Sequence, residues 1–215
     1  MDAVQSSLRY AGSRAHLAEL LAKGADANAI DTSGRSALSL AVRNHDLSSI
    51  ELLLDKGADV NKRDREQWTP LMNAAYLAAR DPKFLPVVQL LLAKGADPNA
   101  AKDGTTALHV AVNNSAVAAT EAAVVNLLIA GGAKPDGVPA AGPTSFVMAP
   151  VTLAAWNGKT AAALALAKGG ANLEAPSPGA KTAAQTARDN KHPDLAALLE
   201  KLRKKKTAAP VKKGH

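Results

Sequence analysis

Short apolar runs alternate along the chain with polar breaks marked by glycine, and the alternation repeats. The runs "LAELLAK", "IELLLDK", "VVQLLLAK", "VVNLLIAG" and "AALALAK" place apolar residues at helical spacing, and each leads to a glycine: Gly24, Gly57, Gly95, Gly132 and Gly170. A glycine just past the last periodic residue supplies the left-handed conformation that ends a helix, so each is a stop signal. The intervals between these glycines are 33, 38, 37 and 38 residues. Around them the chain says nearly the same thing five times, as "KGADAN", "KGADVN", "KGADPN", "GGAKPD" and "KGGANLE".

About eight residues beyond each Asn or its equivalent a second helix is expected, opened by a Ser or Thr cap in "RSALSLAV", "WTPLMNAA", "TTALHVAV", "APVTLAAW" and "KTAAQTAR". In the second of these, Thr69 caps and Pro70 takes the first helical position, where its missing N–H costs nothing. The unit is therefore helix, turn, helix, glycine stop and extended loop. Repetition with this period is the mark of an array in which each unit buries its apolar faces only against its neighbours.

These residues resemble the ankyrin repeat, whose pattern is G-x-T-P-L-H-x-A-A, then a V-V-x-L-L-L helix, then G-A-D-V-N. The resemblance runs over residues 12–203, in five loop-and-helix-pair segments after a partial N-terminal unit. It implies an all-α solenoid of stacked antiparallel helix pairs, with β-hairpin loops projecting to one side and a concave face formed by hairpins and inner helices. The domain organisation expected is an array over 1–203 and a disordered basic tail over 204–215.

Departures from the pattern locate the unusual parts. The family's TPLH histidine survives only as His109; Ser39, Met72, Thr152 and Gln185 stand in its place, which removes the usual turn-bracing side chain there. Between helices, Ala75 to Val87 and Val112 to Val124 are 12 residues apart where Val42 to Ser49 is 7. Adjacent units thus share a five-residue insertion, near 76–84 and 113–121, expected to extend one rim with Phe84 tucked against the outer helices. A third lengthening lies in the hairpin loop 136–149, where Gly137, Pro139, Gly142 and Pro143 break regular structure and Phe146, Val147 and Met148 form an apolar foot.

Composition sharpens the picture. Aromatic residues make up only 3% of the 215, so the core must be built from Ala, Leu and Val, which suits close helix packing and not a β-sandwich. The net charge of +7 belongs to the last fifteen residues, "KLRKKKTAAPVKKGH"; the 19 basic residues before them match 19 acidic ones. With no cysteine, disulfides and thiolate chemistry are excluded while the compartment stays open. No apolar run approaches the ~20 residues of a membrane span, and the first fourteen residues hold no signal-peptide core, so a soluble chain is expected. The alanine-rich composition has a bacterial character, pointing to the cytoplasm, or to the periplasm if a signal peptide once preceded this start.

No enzymatic centre is indicated. His16, His45, His109, His192 and His215 fall at separate positions, none at the i, i+4 spacing of a helical metal site. "AGGAKPDG" lacks the G-K-S/T ending of a phosphate loop and follows a helix, so a helix stop explains it. Asp26, Asp59 and Asp97 recur at the turn, where side-chain bonding to the backbone is reason enough for them. No cofactor or metal is expected.

What the resemblance implies instead is a module that binds a partner protein or peptide, as an adaptor or inhibitor. In the family's register the groove-facing positions are Arg63, Arg65, Glu66 and Trp68, then Tyr76 and Leu77, then Asn113 and Asn114, then Met148 and Trp156. Trp, Tyr and Arg dominate interface energy, and three of the chain's six aromatic residues fall in this register. An acidic partner segment with an apolar anchor would suit them, the chain being a monomer when free. The alternative is a tethered scaffold whose basic tail holds nucleic acid or an anionic membrane. Specific nucleic-acid recognition is not expected, because no aromatic residue after Trp156 is available to stack on a base.

Overall fold

The computed structural model describes residues 14–114, 118–138, 147–175 and 181–208. Eleven α-helices lie within them. The first, α1 (Arg14–Ala22), belongs to the partial N-terminal unit. Five pairs follow: α2 (Ala37–Arg43) with α3 (Leu47–Asp55), α4 (Pro70–Ala78) with α5 (Leu85–Ala93), α6 (Ala107–Asn114) with α7 (Ala118–Ala130), α8 (Pro150–Trp156) with α9 (Thr160–Lys168), and α10 (Ala183–Asp189) with α11 (Pro193–Ala208). The first helix of each pair packs on the first helix of the next, and the second helices form their own row. This is the expected all-α solenoid, with one antiparallel hairpin, β1 (Ala101–Lys102) against β2 (Thr105–Thr106), at the third full unit.

The packed side of the inner row is buried, and small residues make that burial achievable. Ala74, Ala75, Ala78, Ala111, Ala154, Ala155 and Ala187 are all within 2% of full burial, so neighbouring inner helices approach closely. Leu38, Leu71, Leu108, Ile50, Leu91, Leu128 and Leu166 fill the space between rows. Burying one such side chain contributes about 1.5–3 kcal/mol.

Every unit then hands a polar bond to the next. The turns after Gly24, Gly57 and Gly95 are each folded by a carboxylate on the backbone two residues ahead: Asp26 on the Asn28 N–H, Asp59 on Asn61, Asp97 on Asn99, each at 2.8 Å; after Gly132, Lys134 stands in that place. The asparagine so placed reaches across to the following turn. Asn28 donates to the Gly57 carbonyl (3.0 Å) and accepts from the Asp59 N–H (2.7 Å), and Asn99 does the same with the Gly132 carbonyl (2.9 Å) and the Lys134 N–H (2.8 Å). Asn61 accepts from the Asp97 N–H, and Asp136 from the Asn172 N–H.

The insertions build local structure of their own. In the second unit a 3₁₀ turn, Pro82–Phe84, capped by Asp81, buries Phe84 at 6% exposure, where its ring meets His45 edge-on at 5.1 Å. In the third, α7 has 13 residues where α3 and α5 have nine, and Thr120 near its start donates to the Ala79 carbonyl (3.1 Å). Phe146 and the hairpin residues 139–146 lie outside the described residues, as does the tail from 209. The expected boundary at 203 needs correction: α11 continues to Ala208. Lysine and alanine are good helix formers, and basic side chains oppose the negative end of the helix dipole.

A second correction concerns the caps. Ser36, Thr69 and Thr182 cap their helices through side-chain oxygens, Thr182 in a reciprocal box with Gln185. The fourth inner helix, α8, begins after Ala149, which has no oxygen to offer, and the Thr152 hydroxyl three residues on is buried without a partner. Ala149 already has the extended conformation of a cap (φ −54°, ψ 144°). Ala149→Ser should therefore raise stability by about 1 kcal/mol in urea denaturation. Asn99→Ala, which removes both bonds of one inter-turn bridge, should lower it by about 1–2 kcal/mol in the same measurement.

Candidate functional site

The register residues divide among two cavities and the walls between them. Trp68, Asn113, Asn114 and Met148 line one cavity of about 330 Å³, together with His109 and Leu153. Tyr76 stands beside it, its ring edge-on to Trp68 at 6.1 Å between centroids, and the Arg80 guanidinium lies 5.5 Å from the Tyr76 ring centre. Arg65 and Glu66 line a second cleft of about 330 Å³ with Arg35, Arg43, Asp64 and Asn73. Arg63 bonds back to the Gln67 carbonyl in its own hairpin (3.0 Å), and Leu77 packs half-buried against the core; neither lines a cavity. Trp156, 51% exposed at the end of α8, lines neither cavity, although its neighbour Asn157 donates to the Asn113 amide oxygen (3.3 Å).

The hairpin carrying these side chains is held from within. Asp64 Oδ1 accepts from the Trp68 N–H at 2.8 Å, while the Asp64 N–H donates to the Trp68 carbonyl at 3.0 Å. Gln67 takes a positive φ of 64° to close the turn between them. Trp68 thereby leaves the hairpin in a set direction, half-buried against the core, just before the Thr69 cap of α4.

The cavity's far wall depends on His109. Its Nδ1 accepts from both the N–H (3.2 Å) and the hydroxyl (2.9 Å) of Thr106, which requires the proton on Nε2, and Nε2–H donates to the Met148 carbonyl at 3.1 Å. Gly137, at the other foot of the long loop, lies against the same ring: a Cβ there would come within 2.6 Å of Cε1. One imidazole thus bonds one foot of the loop and packs against the other. Motif reading found His109 as a turn brace; its bond to a carbonyl 39 residues away was not legible there.

Arg35 and Arg43 were not in the register selection. Arg43 ends α2 directly after Val42, the place that Tyr76 holds after Ala75 and Asn113 after Val112, so the same register carried the signal. Among the described residues no group of three or more His, Asp or Glu could hold a metal ion, and no helix is long and apolar enough to cross a membrane.

A stack of helix pairs with variable side chains gathered on hairpins and inner helices defines a repeat solenoid of the protein-interaction class. The family model for ankyrin repeats (3 copies) matches residues 1–101 and 75–176, and the chain belongs to that family. It is 40% identical over 131 residues to the human ankyrin repeat and SOCS box protein 6, covering 59% of this chain and 30% of the relative. It is 47% identical over 68 residues to the bovine mitochondrial disaggregase and 44% over 59 residues to the human 2-5A-dependent ribonuclease, covering 32% and 27% of this chain. The chain spans less than a third of the length of these relatives, and only 9% and 7% of the last two. Ankyrin repeats are generally protein–protein interaction modules.

His109 makes the array sensitive to pH. Burial at 3% exposure pushes its pKa down to about 4, against which the Met148 carbonyl pulls it weakly up. In the unfolded chain the imidazole titrates near its ordinary 6.5. The depressed value means that the folded form is favoured by neutral histidine: the contribution is complete above pH ~6.5 and is lost as pH falls towards about 4. Its full size is on the order of 3 kcal/mol. Unfolding free energy measured between pH 7 and pH 4.5 should fall in the native chain, and the fall should be smaller in His109→Gln.

Proposed function

We propose that this chain binds a partner protein or peptide through its concave face, with an apolar side chain of the partner seated in the cavity between Trp68 and Met148. The observation that carries this reading is the placement of aromatic area. In a chain with six aromatic residues, Trp68 and Tyr76 meet edge-on beside the cavity while the core is filled by Ala, Leu and Val. Rigid, amphipathic rings at the rim of a concave site offer large contact area at low entropic cost, as interface hot spots do.

A cavity of about 330 Å³ is small for a cofactor, since ligand pockets run from roughly 300 to 1,000 Å³, and it suits a single large side chain. Asn113 and Asn114 give it polar groups. Asn114 is held in place by donating to the Val110 carbonyl (2.8 Å). The basic end of α11 serves the last unit at least in part, because Arg203 pairs with Glu174 at 3.1 Å. That pairing favours a structural use of the charge over the tethered-scaffold alternative.

The test uses peptides selected for binding to the immobilised full chain from a random phage-displayed library. Trp68→Ala or Tyr76→Ala should weaken the selected peptides by about 2 kcal/mol or more in calorimetry, with the melting temperature little changed. Unchanged affinity in both variants, or a loss explained wholly by unfolding, would move the binding face elsewhere.

A further inference from the structure

The hairpin at 64–68 has two sides of different chemistry. Trp68 faces the apolar cavity, whereas Asp64, Arg65 and Glu66 line the polar cleft towards the first unit. Three guanidiniums reach that cleft, and they are not equivalent. Arg35 is committed to its own turn: its Nε and Nη2 both lie 3.1 Å from Asp31 Oδ2. Arg43 donates only to a neutral acceptor, the Asn73 amide oxygen, at 3.4 Å. Arg65 lies across Gly34, where a Cβ would stand 2.1 Å from its Cγ, so the missing side chain is what lets the Arg65 stem settle there.

Of the carboxylates nearby, Asp31 is paired with Arg35 and Asp64 is held by a backbone N–H. Asp31 accepts from the Ser33 and Arg35 N–H groups as well as the Arg35 side chain, and Asp64 accepts from the Trp68 N–H. Glu66 is exposed on the cleft wall. Among the described residues, neither Arg43 nor Arg65 has a carboxylate within ion-pair distance. Two guanidiniums from successive units therefore face one polar cleft whose two carboxylates, Asp64 and Glu66, are not within ion-pair distance of them.

We propose that this cleft is a carboxylate subsite, in which Arg43 and Arg65 receive an Asp or Glu side chain of the partner segment whose apolar residue enters the Trp68 cavity. The proposal rests on the concave-face reading above and adds the acidic residue to it. A guanidinium offers paired N–H donors that match a carboxylate's two oxygens, which is why arginine serves such recognition better than lysine. The spacing is bounded by the hairpin. Arg65 and Trp68 are three residues apart in a tight turn, so their Cα atoms are closer than the ~11 Å of an extended chain. The segment recognised thus carries its acidic and apolar residues no more than about three positions apart.

The probes are two blocked peptides, acetyl-Glu-Ala-Ala-Trp amide and acetyl-Gln-Ala-Ala-Trp amide, titrated into the full chain at low ionic strength. The glutamate peptide should bind roughly tenfold more tightly than the glutamine peptide. The preference should disappear in the Arg43→Gln, Arg65→Gln double variant, widen in Glu66→Gln, which removes one of the two repelling carboxylates, and fade with added salt. Trp68→Ala should weaken both peptides alike. Equal binding of the two peptides by the native chain, or a glutamate preference that survives in the double arginine variant, overturns the subsite. If equal binding still depends on Trp68, the concave-face reading stands without it. If the glutamate preference depends on the arginines but Trp68→Ala changes nothing, the subsite stands and the apolar anchor falls. Failure of both peptides to bind at millimolar concentration counts against the subsite, the concave-face reading keeping its own test with selected peptides.

Discussion

The array depends on a polar side chain in each of four successive glycine turns that bonds to the turn that follows. A single helix pair of this kind has an apolar face on either side and no closed core, so its register against the next pair must be set by something directional. Dispersion and apolar burial are not directional; a hydrogen bond is. Asn28, Asn61 and Asn99, with Asp136 in the fourth position, supply that direction at the glycine turns. Because each bridge joins residues 31 to 36 positions apart, it holds the helix rows in step over the whole stack. The concave face exists only because neighbouring units keep that step.

Where the inner helices begin, the same demand for a partner at the exposed backbone donors is met differently from unit to unit. Ser36 and Ser39 bond to one another, Thr69 accepts from the Met72 N–H, and Thr182 shares a box with Gln185. His109 goes furthest, because its second nitrogen is free to reach the next unit once the first is satisfied by Thr106. The unit that lacks a capping oxygen, at Ala149, is the one that follows the long loop. One foot of that loop is bonded by the preceding unit's histidine, and the other packs against it. One weak start and one bracing histidine meet at the same place in the stack.

The core chemistry and the binding chemistry are complementary. Alanine-rich inner helices pack closely without aromatic filling, so tryptophan and tyrosine can stand at the groove, where they are half-buried and edge-on to each other. The hairpin that carries Trp68 separates an apolar cavity from an arginine-lined cleft. It does so because Asp64, Arg65 and Glu66 precede the positive-φ residue Gln67 and Trp68 follows it. A partner bound as proposed would meet both chemistries within one short segment.

The sequence by itself determined the elements and their order. Glycine stops, Thr69 before Pro70 and the apolar spacing of runs such as "VVQLLLAK" are local signals, and local hydrogen bonding and backbone preference are enough to act on them. The same signals were too coarse at Ala149, where the motif was present but the oxygen was not, and at α11, where helix propensity carried the chain past 203 to Ala208. The register also named Trp68, Asn113, Asn114 and Met148, but only the stack decided that these, from three different units, surround one cavity. It likewise decided that Leu77 packs on the core, that Trp156 stands outside both cavities, and that Arg43 and Arg65 line one cleft, Arg65 lying across Gly34. Those outcomes turn on the offset and rotation between successive units, which are set by side chains more than thirty residues apart and so are written in no single repeat.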